Sequence, residues 1–415
     1  MSILALPTEI LRDILRDAVH APFLLDTEWD YDPDQMIWQS WNVEDRPAVQ
    51  QEWALSQQTR ANIVVVCRTW REVAREFRFE AIDIPETMST QALTNRVEML
   101  RLRPGSESRT HGWWTKRIIL HLGPTRSEDI NNLYIALLES CHNLEILTFA
   151  PSNGDHHDAP LHTMSFTVTT HSRIIRNLAN LIQKRFPHSF RRFDLEIVPY
   201  INYHLPDETT VIPGVTLLSL SIKLHTIRAP SPVSLNSITC LTIPSDLEWL
   251  NEWYLPCLRH LGLTRLGFYR DQVHLQSFFN RHEHTLRSLS VFSGFVVGLE
   301  DINLATLVSS AKNITSINVQ DMYLQCFPLN TPLPGITHLL VLLYGAPDKR
   351  LLEVLQSAIF PDLQSLSLQD DVNKWRHESE SNVLLHDIED VQDVCAKKSI
   401  RFVDGRADQN FFFLG

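Results

Sequence analysis

The sequence predicts an α/β chain in two parts: a small N-terminal helical module, then a long region in which short strands alternate with helices. Three observations predict it. Apolar stripes at helical spacing occupy residues 6–18 and 63–79, a six-residue apolar motif recurs between Leu144 and Leu368, and helix-like stretches separate its copies. Length agrees, because 415 residues exceed what one small core usually organises.

The first stripe begins at Leu6-Pro7-Thr8-Glu9, where Pro7 and the Thr-Glu pair read as a helix start, and continues through Ile10, Leu11, Ile14, Leu15 and Ala18. Steps of one, three and four residues place these side chains on one side of a helix. In the second stripe Ile63, Val66, Cys67, Trp70, Val73 or Ala74, and Phe77 recur at the same interval, while Arg68, Arg71, Glu72, Arg75 and Glu76 fill the other face. It predicts one amphipathic helix from Ile63 to Phe79.

These residues carry a resemblance. Leu6-Pro7, Glu9-Ile10-Leu11, then Val66-Cys67-Arg68, Trp70-Arg71 and Ala74, then Phe79, Ile82 and Ile84 look like an F-box, the helical module by which substrate receptors dock onto the Skp adaptor of cullin-RING ubiquitin ligases. The resemblance implies an adaptor-binding set of Leu6, Pro7, Ile10, Leu11, Ile14, Leu15, Val66, Cys67 and Trp70 within a module of residues 1–84. It also implies an intracellular substrate-recognition subunit, cytoplasmic or nuclear, whose solenoid holds a protein target. The alternative is a scaffold with an F-box-like cap that joins no ligase. One departure stands out, since about forty extra residues separate the two pieces.

Most of that excess lies in residues 21–58, where eight acidic residues face only Arg46 and where Trp29, Trp38, Trp41 and Trp53 cluster. This reads as a surface excursion between two helices, removable at the slow logarithmic cost of loop closure. A contact surface for a partner is the other reading. Residues 85–114, punctuated by Pro85 and Pro104-Gly105, read as a connector or an irregular first repeat unit.

From about residue 115 the chain repeats an apolar residue, two variable ones, an apolar, one variable, an apolar. The copies start at Leu144, Phe190, Val215, Ile238, Leu258, Leu286, Ile314, Ile336 and Leu363, with weaker ones at Ile118 and Ile400. After the first, long interval, which contains a His-rich insertion, the starts keep the period of leucine-rich repeats. The last two apolar positions are two apart, so on a strand both point inward. Helical stretches are expected at 130–141, 174–185, 271–281, 304–311, 349–358 and 388–397. Strand and helix in alternation predict an irregular leucine-rich-repeat solenoid over 115–415, whose core forms only by stacking. Leu218, Leu241, Leu261, Leu289, Ile317, Leu339 and Leu366 should then line one buried row. The residues between, among them Thr148, Asp194, Thr242, Ser290, Asn318 and Ser367, should form a small, polar face open to solvent or to a partner.

Composition removes several functional classes. A formal net charge of −12 and the lack of a Lys/Arg stripe argue against nucleic acid and anionic membrane as partners. No apolar run reaches the roughly 18 residues a membrane helix needs. The six cysteines are scattered and form no Cys-x-x-Cys pair, as expected of reduced core thiols. Nucleophile elbows, phosphate loops and zinc helices are missing, so no catalytic residue, cofactor or metal is expected. His156-His157-Asp158 with His162, and His282-Glu283-His284, are the nearest to metal ligands, and both read as surface histidines.

Overall fold

The computed structural model describes residues 6–19, 25, 47–103, 108–122, 128–151, 177–195 except 179 and 183, 219–222, 237–243, 253–263 except 254, 270–291, 303–343, 349–370 and 384–404. It is a mixed α/β protein with parallel sheets. Two compact units divide the chain, residues 1–28 with 43–230, and residues 29–42 with 231–415.

The first unit opens with helices α1 (Thr8–Val19), α2 (Pro47–Val66), α3 (Arg68–Val73) and α4 (Arg75–Glu80). Strands β1 (Ala81–Ile84), β2 (Arg117–Leu122), β3 (Ile146–Pro151), β4 (Arg192–Leu195) and β5 (Ser219–Ile222) follow, with α5 (Thr90–Arg101) after β1 and α6 (Glu128–Ser140) after β2. Each strand pairs parallel with its predecessor. Ile82, Ile118, Leu147 and Phe193 stand in one register row, and Ile84, Leu120 and Phe149 in the next, all buried. Residues 85–114 thus carry the helix joining the first two strands. Ser89 caps that helix by accepting from the Ala92 N–H at 3.2 Å, which satisfies a donor that has no partner within the helix. Beyond it Gly112 lies so close to the Ser140 carbonyl that a Cβ would come within 2.0 Å of the oxygen. Only a bare backbone fits there.

Strand β5 departs from the expected register. Leu220 pairs with Phe193 and Ile222 with Leu195, so Leu220 takes the row position expected of Leu218, which lies outside the described residues. A two-residue slip keeps the same side chains on the same face, so alternation alone cannot detect it.

The second unit repeats the pattern: β6 (Cys240–Ile243), β7 (His260–Leu263), β8 (Ser288–Val291), β9 (Ser316–Gln320), β10 (His338–Leu343), β11 (Ser365–Asp370) and β12 (Arg401–Asp404) pair parallel in chain order. Helix α7 (Arg270–Arg281) precedes β8, α8 (Leu304–Ser310) precedes β9, α9 (Lys349–Gln356) precedes β11, and α10 (Leu384–Lys397) precedes β12. Leu241, Leu261, Leu289, Ile317, Leu339 and Leu366 form one buried row, as their shared place in the motif predicts. One carbonyl per step locks successive strands. Thr239 O accepts from the Arg259 and His260 N–H groups, Arg259 O from those of Arg287 and Ser288, and Arg287 O from those of Thr315 and Ser316.

The opposite face of the strands corrects the sequence reading. Thr148 and Asp194 in the first unit, and Thr242, Ser290, Asn318 and Ser367 in the second, are buried rather than solvated. Both faces of these strands are covered, as in parallel sheets generally. Period-two alternation separates the faces but cannot say whether the polar one stays wet. Among the described residues, no helix is long and apolar enough to cross a membrane.

Candidate docking site in the N-terminal helices

The first stripe folds as expected into α1, but its residues divide between two faces. Leu11, Leu15 and Val19, four apart, point inward and pack with Ile63, Val73, Ala74 and Phe77, while Val64 and Trp70 close the cluster from its edge. Ile10 and Ile14, one position earlier in each turn, remain 47% and 41% exposed. A 100° step between neighbouring residues accounts for the split.

The second stripe is not one helix. It breaks at Cys67, whose φ of −160° and ψ of 173° are extended, and again at Ala74, which joins α3 to α4. Upstream, Ile63-Val64-Val65-Val66 is a β-branched run, poor at propagating a helix. The Cys67 Sγ then restarts the chain as an N-cap, accepting from the Trp70 N–H at 3.4 Å. Arg71 Nε donates to Val64 O at 2.9 Å and ties the new helix back to the end of the old one.

Of the nine expected docking residues, Pro7, Ile10, Ile14 and Val66 are exposed, and Leu6, Cys67 and Trp70 are half-buried. Leu11 and Leu15 are corrected: at 2% and 1% exposure they hold α1 in place and cannot touch a partner while the module is folded. Val65 and Leu55 are exposed as well. A contiguous exposed apolar patch is the usual mark of a surface that meets something else, whereas single exposed apolar side chains are ordinary.

Sequence reasoning missed Arg60, which holds the helices together. On α2, it is 3% exposed, and its guanidinium donates to Phe77 O of α4, to Val19 O at 3.4 Å and to Ser56 Oγ at 3.2 Å. Ser56 Oγ itself donates to Val19 O at 2.6 Å. Burial pulls the Arg60 pKa below its ordinary value, and Glu80 partly opposes that shift. The i,i+4 spacing of Ser56 and Arg60 was visible, but nothing in it announces a buried pair.

The same contacts correct the reading of residues 21–58. Positions 47–58 are the opening turns of α2 rather than loop, and Ser56 is buried against α1. Deleting the whole segment would remove more than half of a structural helix. Trp53 lies on that helix, whereas Trp29, Trp38 and Trp41 fall outside the described residues.

Only the second histidine cluster falls among the described residues, and its two histidines are not both on the surface as expected. His156, His157 and His162 lie outside the described residues. His282 is buried and packs on Phe278 with ring centroids 4.5 Å apart, while His284 is exposed and faces Glu283 at 3.1 Å. Burial, reinforced by Arg281 and opposed by a hydrogen bond to the Leu255 backbone, lowers the His282 pKa to about 4. The unfolded chain takes up this proton near the ordinary 6.5 and the folded chain only near 4. Stability contributed by neutral His282 is therefore full above pH 6.5 and falls as pH drops through that window, by up to about 3 kcal/mol. Urea titrations from pH 7.5 to 4 should show this loss, and a His282→Gln variant should lack that part of the slope.

No family model matches this chain, and no curated protein matches it.

Proposed function

We propose that this chain is the substrate-recognition subunit of a Skp-cullin-F-box type ubiquitin ligase. In this reading the N-terminal helices form an F-box-like module that docks the Skp adaptor, and the strand-helix repeats form an irregular leucine-rich-repeat solenoid that holds a protein target. The observation carrying it is the split of the α1 stripe. Leu11 and Leu15 complete the module's own core, while Ile10 and Ile14, like Pro7 and Val66, stay exposed and are apolar side chains that core does not use. The ordered Leu-Pro and Val-Cys-Arg-x-Trp signatures supply the identity of the partner.

Function under this reading is proximity. A target held beside the charged ubiquitin carrier meets it locally rather than by free encounter, and the chain contributes no nucleophile of its own. Replacing Ile10 and Ile14 together by Glu should abolish capture of purified Skp adaptor while circular dichroism stays unchanged, because both side chains lie outside the core. Undiminished capture by the double variant would sink the proposal. The scaffold reading draws on the burial of Leu11, Leu15 and Ile63, which gives the stripe a purely internal use; it prevails if the wild-type chain itself captures no adaptor.

A further inference from the structure

The second unit gathers positive charge at the end where its strands begin. Arg259 and Arg287 hold the same place in their copies of the motif, directly after Leu258 and Leu286. Parallel register sets them side by side, and the Arg287 N–H donates to the Arg259 carbonyl at 2.7 Å. The loops leading into β7, β8 and β9 are stitched together: Arg281 Nη1 donates to Trp253 O at 3.4 Å, and Asn313 Nδ2 donates to His284 O at 3.1 Å. Among the described residues of these loops, 255–259, 281–287 and 312–315, the exposed cations Arg259, Arg281, Arg287 and Lys312 face one carboxylate, that of Glu283, which lies 3.1 Å from His284. Among the described residues neither the Arg259 nor the Arg287 guanidinium has a hydrogen-bond or ion-pair partner. Like charges on adjacent strands repel, so in a chain of net charge −12 this is a local reversal of sign that the described protein leaves uncompensated.

We infer that this strand-entry surface, centred on Arg259 and Arg287, docks an acidic segment of a protein partner. Strand spacing puts the two backbones about 4.8 Å apart, so two guanidinium forks are presented together, each able to take a carboxylate through parallel N–H···O bonds. A single exposed pair is weak, and the cations are spread over three loops. Binding therefore needs several carboxylates engaged at once, as an acidic segment supplies and one small anion does not. Nucleic acid is disfavoured because bases need aromatic platforms to stack on. The row Thr239, Arg259, Arg287, Thr315, Thr337 and Gln364, linked carbonyl to N–H in that order, contains none. A membrane surface would find no anchor, since no large apolar side chain is exposed among the described residues of these loops. The inference rests on the receptor reading only for the partner's being a ligase target; the charge and its place stand without it.

The test uses the full chain without adaptor, so its failure leaves adaptor capture untouched and a failure of capture leaves this surface standing. Fluorescence anisotropy with a labelled peptide of alternating Glu and Gly should show saturable binding that weakens as salt rises, and the same peptide with Gln for Glu should not bind. Arg259→Gln combined with Arg287→Gln should weaken binding about tenfold with circular dichroism and Tm retained, because both side chains are exposed and surface changes rarely disturb folding. Lys349→Gln combined with Lys397→Gln removes the same charge from exposed positions on α9 and α10 and should bind like wild type. The proposal is overturned if the Glu peptide does not bind, if the two double variants lose binding equally, or if single-stranded RNA or phosphatidylserine vesicles bind more tightly than the peptide through the same two arginines.

Discussion

Asp194→Ala is expected to destabilise the first unit by about 3–5 kcal/mol, the usual cost of removing one partner from a buried ion pair. Arg192 Nε lies 2.8 Å from one Asp194 carboxylate oxygen and 3.1 Å from the other. Thr148 Oγ1 donates to the same carboxylate at 3.1 Å, and Arg117 Nη2 donates to Thr148 Oγ1 at 3.1 Å. Three strands are tied by this chain, and all four side chains are buried. Without the carboxylate, two guanidinium groups share a low-dielectric space with no anion from this chain of bonds between them. Asp194→Asn, which keeps an acceptor but not the charge, should cost less. Urea denaturation followed by far-ultraviolet circular dichroism measures both, and an Asp194→Ala cost below about 1 kcal/mol would show that the network carries little of the fold.

Leu289→Ala should cost the second unit about 2–5 kcal/mol, the transfer term plus the cavity left behind. Leu289 is fully buried between Leu261 and Ile317 in the row that crosses the sheet. Since each strand stacks on its neighbours, the damage should appear first as lost hydrogen-exchange protection in β7 to β9. Leu102→Ala, at an exposed position of the first unit, serves as the control and should change stability by less than about 0.5 kcal/mol. Equal protection in both variants would mean that the row is not the core its register describes.

What the sequence by itself determined was the local periodicity. The x-x-Leu-x-Leu motif located the strands β3, β4 and β6 to β11, the weaker copies marked β2 and β12, and the stripes between them located α6 to α10 to within a few residues, because burial on one face imposes a period that any single element displays. The inward row from Leu241 to Leu366 was legible for the same reason. So was α1, though not which of its apolar residues would be spent on the core. Tertiary structure alone decided the rest. Whether Ile10 or Leu11 faces inward depends on where α2 lies, whether Val66 continues a helix depends on Cys67 capping the next one, and Arg60 finds its carbonyls 17 and 41 residues away. The two-residue slip of β5 and the covering of Ser290 and Asn318 are of the same kind: a strand's own pattern fixes its two faces, but its partner sets the register and the packed chain sets which face loses water.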